Sequence, residues 1–288
     1  MDFNDILQEA REQWGEIPKS HRVTALSLIV GGTLTIFLKP VKEEREEELP
    51  VTVSLPTTLN SLERTLVYAD RIMKVASKHP DKEERASFLA AIIVAESQGN
   101  PAAKSYRTKK NGTRQVNAVG LGQIIASSGE GIEVKGYEEF PEGCALYQGK
   151  CYVNLGTGDD KKVDNRERAY PAIFGEDIIF SQLGRSIEAC AADASKEVQG
   201  KLKVLAYNSG SGIVCEAVAR ARKKGTLSWG TISEEFTKPL VRKYLGRSLG
   251  TEKEIDNQTQ DTQRYVKSVE RNVDYFRSYF RQRTFPRS

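Results

Sequence analysis

DKEERASFLAAIIVAESQGNP, residues 81–101, is the stretch whose reading decides the fold. Asp81 with Glu84 three residues on is a capping-box pattern that opens a helix. Phe88, Leu89, Ile92, Ile93 and Val94 follow at helical spacing and make an apolar stripe. Gly99, Asn100 and Pro101 are residue types that stop helices, so the helix ends just after Ala95-Glu96-Ser97. Glu96 therefore lies in the last turn, with Ile92 and Ile93 behind it on nearly the same face. Apolar neighbours penalise its charged form, and the partial negative charge at a helix C-terminus does the same. A carboxyl kept neutral near physiological pH is equipped to act as a general acid.

Taken alone, a glutamate at a helix end is ordinarily a solvated surface residue. Its company singles it out. Glu96-Ser97-Gln98-Gly99-Asn100-Pro101 is followed by Ala118-Val-Gly120-Leu-Gly122-Gln123-Ile124, then Ala206-Tyr207-Asn208-Ser-Gly210, and last Thr262-Gln-Arg-Tyr265-Val266-Lys-Ser-Val269. In this order, over roughly residues 60 to 280, the segments resemble the catalytic domain of the soluble lytic transglycosylases, relatives of goose-type lysozyme that cut peptidoglycan. The resemblance implies a mainly α fold: a lysozyme-like helical domain, residues 59–288, with irregular and small β insertions. It implies Glu96 as the catalytic acid and peptidoglycan glycan strands as substrate, with no cofactor. Ser97 and Gln123 resemble residues lining the cleft beside the acid. Tyr207, Asn208 and Tyr265 resemble those that position the acid or hold the substrate around C1. Gly122 departs from the pattern, standing where the family usually has Met.

No Asp or Glu occurs from Ser97 through Gly129. An inverting hydrolase needs a second carboxylate to activate water, and goose-type lysozymes draw theirs from this region. The absence favours a single-acid reaction that ends in a 1,6-anhydromuramoyl product. A water-using muramidase on the same fold is the alternative enzyme. A catalytically inactive structural module of an envelope-spanning machine is the alternative from another class.

Composition narrows the remaining choices. The 288 residues carry a formal charge of only +4, which does not by itself indicate nucleic acid. His21 and His79 are the only histidines and neither lies near the motifs, which argues against a His-rich metal site or a Ser-His-Asp triad. Gly120 and Gly122 lack the third glycine of a dinucleotide loop.

The first 22 residues read as an amphipathic tail. Val23 to Leu38 runs without a charge, and sixteen residues of helix span about 24 Å, slightly short of the ~30 Å bilayer core. Basic residues bracket the run and no small-residue cleavage site follows it, so the expectation is an uncleaved, single-pass anchor at 23–38 in the cytoplasmic membrane. Residues 39–58 read as a linker, leaving the catalytic domain outside the cytoplasm, in the periplasm. That setting fits wall turnover as well as local wall opening for a secretion, conjugation or phage-entry machine.

Within the domain, Asn60-Ser-Leu-Glu63 caps a helix from Leu62 to about Lys78. Lys104–Asn117 is a basic loop, with a hairpin turn at Asn111-Gly112. Residues 127–175 read as irregular, Glu176–Val198 as a helix, 225–260 as a linker-like insertion, and Thr262–Phe280 as a closing helix. Cys144, Cys151, Cys190 and Cys215 suit two disulfides outside the cytoplasm, 144 with 151 and 190 with 215, although sequence does not fix the pairing. Buried thiols of a cytoplasmic protein are the alternative.

Overall fold

The computed structural model describes residues 59–108, 112–155, 163–225, 227–249 and 251–283, with two short strands at 27–30 and 33–36. The chain divides into two compact units, 1–54 and 55–288.

In the first unit, β1 (Ser27–Val30) and β2 (Thr33–Ile36) pair antiparallel, with Val30 opposite Thr33. This corrects the membrane-anchor helix expected over 23–38. The described part of that run is a hairpin, and among the described residues no helix is long and apolar enough to cross a membrane. Composition explains the difference: Ile29, Val30, Thr33, Thr35 and Ile36 are β-branched, and Gly31-Gly32 suits a two-residue hairpin connection. The remainder of 23–38, the tail at 1–22 and the whole of the 39–58 linker fall outside the described residues.

The second unit is mainly helical. Asn60 opens α1 (Ser61–Leu66) with a complete capping box: its side-chain oxygen accepts from the Leu62 and Glu63 amides at 2.9 and 3.1 Å, and Glu63 accepts from the Asn60 amide at 2.8 Å. The single helix expected to about Lys78 breaks after Leu66 and resumes as α2 (Ala69–Ala76).

The hub is α3 (Lys82–Ser97). Every residue from Ala86 to Val94 is buried, so the expected one-sided stripe is in fact an apolar surface all the way round, as in a helix at the centre of a core. Truncating a wholly buried Ile92 or Ile93 to Ala costs about 2–5 kcal/mol. Asp81 precedes the helix without a side-chain capping bond, so the capping box read there does not form. The stop comes from Gln98 and Gly99, both left-handed, at φ 55° and 74°. A Cβ on Gly99 would come within 2.9 Å of the Thr65 amide nitrogen, so the chain turns tightly against α1.

Beyond α3, β3 (Lys104–Thr108) and β4 (Arg114–Val119) form the expected hairpin, and β5 (Ile124–Ile125) adds a third strand before the single turn α4 (Ala126–Gly129). In the stretch read as irregular, β6 (Glu133–Val134), β7 (Leu146–Tyr147) and β8 (Lys150–Tyr152) make a small sheet in the order β6-β8-β7. The remaining helices are α5 (Ala169–Cys190), α6 (Lys196–Ser209), α7 (Ser211–Lys223), α8 (Trp229–Ser233), α9 (Lys238–Leu249) and α10 (Glu252–Gln282). The helix expected over 176–198 is thus two elements, because Ser195 caps α6 by accepting from the Val198 amide at 3.3 Å. The segment expected as a linker at 225–260 is also mostly helical. It buries Trp229, Ile232, Phe236, Leu240 and Val241.

α10 lies along α3 in the most extensive helix pair of the unit and buries Val266, Val269, Val273 and Phe276. α2 and α6 also pack on α3. Disulfides join Cys144 to Cys151 and Cys190 to Cys215, with Cα separations of 5.9 and 5.6 Å; the second ties the end of α5 to α7.

Candidate active site

Where α3 ends, three helices distant in sequence converge on one carboxyl. Tyr265, from α10, donates its hydroxyl to Glu96 Oε1 at 3.2 Å and lies 3.4 Å from the Val204 carbonyl of α6. Asn208, at the end of α6, directs its amide nitrogen to the same Oε1 at 3.5 Å. Gly210, with φ 83°, breaks the chain between α6 and α7 and leaves Asn208 exposed at that break. Both contacts fall on Oε1. Oε2 has no hydrogen-bond partner among the described residues.

Glu96 is partly buried, and desolvation raises its pKa from 4.5 to about 7. The Asn208 and Tyr265 bonds favour the anion and pull the other way, but desolvation wins. Burial also holds the hydroxyls of Tyr207 and Tyr265 well above the usual phenol range, so both remain proton donors. The result is a carboxyl that both holds and releases a proton near neutrality. That is a requirement of general acid–base catalysis.

The other sequence-selected residues shape the surroundings. Tyr207 donates to the Gly122 carbonyl at 2.8 Å, joining α6 to the Gly120–Gln123 turn. Gln123 takes a left-handed conformation, φ 46°, and its amide nitrogen donates to the Ala103 and Gly120 carbonyls at 2.8 and 3.0 Å, which pins that turn to the loop after α3. Ser97 is different: its hydroxyl is buried and donates to the Ile93 carbonyl at 2.9 Å within α3. Glu96, Asn208 and Tyr265 are thus brought into direct contact. Tyr207 and Gln123 act on the turn beside them, and Ser97 faces inward.

A second carboxyl was not anticipated. Glu176 of α5 is wholly buried beside Gly122 and Tyr207, and neither of its oxygens has a hydrogen-bond partner among the described residues. The available signal was a Glu176-Asp177 pair inside the apolar run Ala172–Phe180, where a buried acid demands a reason.

Residues 74–143 match the family model of the transglycosylase SLT domain. The match supports a soluble lytic transglycosylase-type domain. No curated protein matches the chain. The matched part of the transglycosylase domain holds Glu96, Ser97 and Gln123 but ends before Tyr207, Asn208 and Tyr265, which join the acid through the fold alone.

Proposed function

We propose that this chain is a peptidoglycan lytic transglycosylase acting through Glu96. Glu96 protonates the oxygen bridging N-acetylmuramic acid and N-acetylglucosamine, and the C1–O bond breaks through an oxocarbenium-like transition state. The carboxylate so formed takes the proton of the muramoyl C6 hydroxyl as that oxygen bonds to C1. The product carries a 1,6-anhydromuramoyl end, no water is consumed, and Glu96 is returned protonated. An intramolecular nucleophile reaches effective molarities of about 10⁵ M or more in well-oriented cases, so one carboxyl serves as acid and then base.

The observation that carries this reading is the Glu96 carboxyl itself, poised at about 7 with both donors gathered on one oxygen. In this reading Tyr265 orients Glu96, and Asn208, exposed at the helix break, bonds the N-acetyl group of the sugar. Tyr207 and Gln123 hold the cleft edge. Glu176 offers no base for a hydrolytic water, because its carboxyl is sealed from solvent. The domain works outside the cytoplasm, a setting supported by the two disulfides.

Mass spectrometry of purified peptidoglycan digested by the protein tests the proposal. Anhydromuramoyl ends, lost in Glu96→Gln, are the expected result. Reducing ends would make the protein a muramidase, and equal activity in the variant would remove Glu96 from the chemistry.

A further inference from the structure

Two adjacent acids on α5 meet opposite fates. Asp177 is paired: Arg85 Nε donates to it at 2.6 Å, and His79 Nε2 lies 3.1 Å away. Glu176 is 0% exposed, and neither of its oxygens has a hydrogen-bond partner among the described residues. An unpartnered buried polar group opposes folding, and an apolar side chain of similar shape relieves that cost. A cost retained beside a reaction centre calls for a functional account.

Gly122 indicates what the carboxyl does. A Cβ built on Gly122 would lie 3.0 Å from Glu176 Oε2 and 3.0 Å from the Tyr207 hydroxyl. Carboxyl and phenol therefore occupy the space that a side chain at position 122 would fill. Tyr207 meanwhile holds the Gly122 carbonyl at 2.8 Å. The turn that carries Gln123 thus rests on one polar group from α5 and one from α6.

Burial and the charged and titratable groups around Glu176 push its pKa well above the usual carboxylate range. Burial acts first, then the negative potential of Glu96 from α3 and of Asp177 beside it; Arg85 from α3 only partly opposes them. Tyr207 and Tyr265, from α6 and α10, face the same centre as neutral phenols.

We propose that Glu176 is a positioning residue of the cleft: with Tyr207 it props the Gly122–Gln123 turn, while Glu96 exchanges the proton. The proposal rests on the reading of Glu96 as the acid.

The test uses the full chain and the variants Glu176→Met and Glu176→Gln. Met fills the site without a polar group. Glu176→Met is expected to melt about 3 °C or more above the parent at neutral pH, since the unpartnered carboxyl is gone. Its kcat on purified peptidoglycan is expected to fall tenfold or more, and the uncharged amide of Glu176→Gln to restore kcat to within about threefold of the parent. The midpoint of Glu96, read by carbon NMR of its carboxyl, is expected to move by less than about half a unit in Glu176→Gln. A lower melting temperature in Met would make Glu176 an ordinary stabilising group and overturn the proposal. So would an unchanged kcat in Met, or a fall of a unit or more in the Glu96 midpoint in Gln. If the parent releases no wall fragments, the functional reading falls, and the melting and NMR arms still decide the state of Glu176.

Discussion

Replacing Glu96 by Gln removes a group whose ionisation the fold opposes, and the consequence is measurable without substrate. Its pKa is raised from 4.5 to about 7. At 1.36 kcal/mol per unit this amounts to a ceiling of about 3 kcal/mol, solvent at the outer oxygen reducing it. The sign follows from proton affinity. The folded state binds the Glu96 proton more tightly than the unfolded chain, so stability is greatest where both states are protonated. It falls as pH rises through the interval between 4.5 and about 7, then levels off. Gln does not ionise and escapes this loss. The stability gained by Glu96→Gln over the parent therefore grows from about 1 kcal/mol at pH 5 to about 3 kcal/mol at pH 8. In a domain of this size, that widens the gap in melting temperature by about 4–9 °C. Calorimetric melts of both proteins at pH 5, 6, 7 and 8 provide the measurement. A change in packing caused by the amide adds the same offset at every pH, so only the slope matters. Melting temperatures that run parallel across the range would refute the claim that Glu96 is desolvated in the folded protein.

Tyr265→Phe deletes the donor 3.2 Å from Glu96 Oε1, which stabilises the carboxylate. The upper limb of the pH–activity profile should move upward by about half a unit to one unit, with kcat reduced about tenfold; a downward move would contradict the geometry. Gly122→Ala brings a methyl group to 3.0 Å from Glu176 and Tyr207. It should destabilise the domain by about 1–3 kcal/mol in urea melts and depress activity, while full stability would show that the two groups are not seated there. Cys215→Ala opens the bridge to Cys190, 25 positions away. The expected loss is about 3 kcal/mol of unfolding free energy, and a variant as stable as the oxidised parent would deny the bridge its role.

The helix bearing Glu96 was legible because its ends and its apolar content are local properties. Its centrality was not, since a stripe and a fully surrounded helix share the run Phe88–Val94 until neighbours are known. The hairpin at β1 and β2 was misread as a membrane helix because an uncharged run of sixteen residues satisfies both readings on hydropathy; the β-branched residues flanking Gly31-Gly32 carried the better signal. The stretch from 225 to 260 looked like a linker because its apolar residues are sparse, yet Trp229, Phe236 and Leu240 bury fully enough to fix α8 and α9. At the site, ordered motifs indicated Glu96, Asn208 and Tyr265 without a distance between them. The stretch adjoining Glu96 in sequence, Ser97 through Gly129, holds no second acid. The fold brings one in from α5 instead.

The burial of α3 on every side has a thermal consequence. Segments wrapped by neighbours exchange their amide hydrogens only when the whole domain opens, whereas peripheral turns fray well below that threshold. Glu96 is mounted on the slowest-opening part of the molecule rather than on a loop that loosens early. Warming should leave its alignment intact up to the cooperative transition, so that inactivation and global melting coincide.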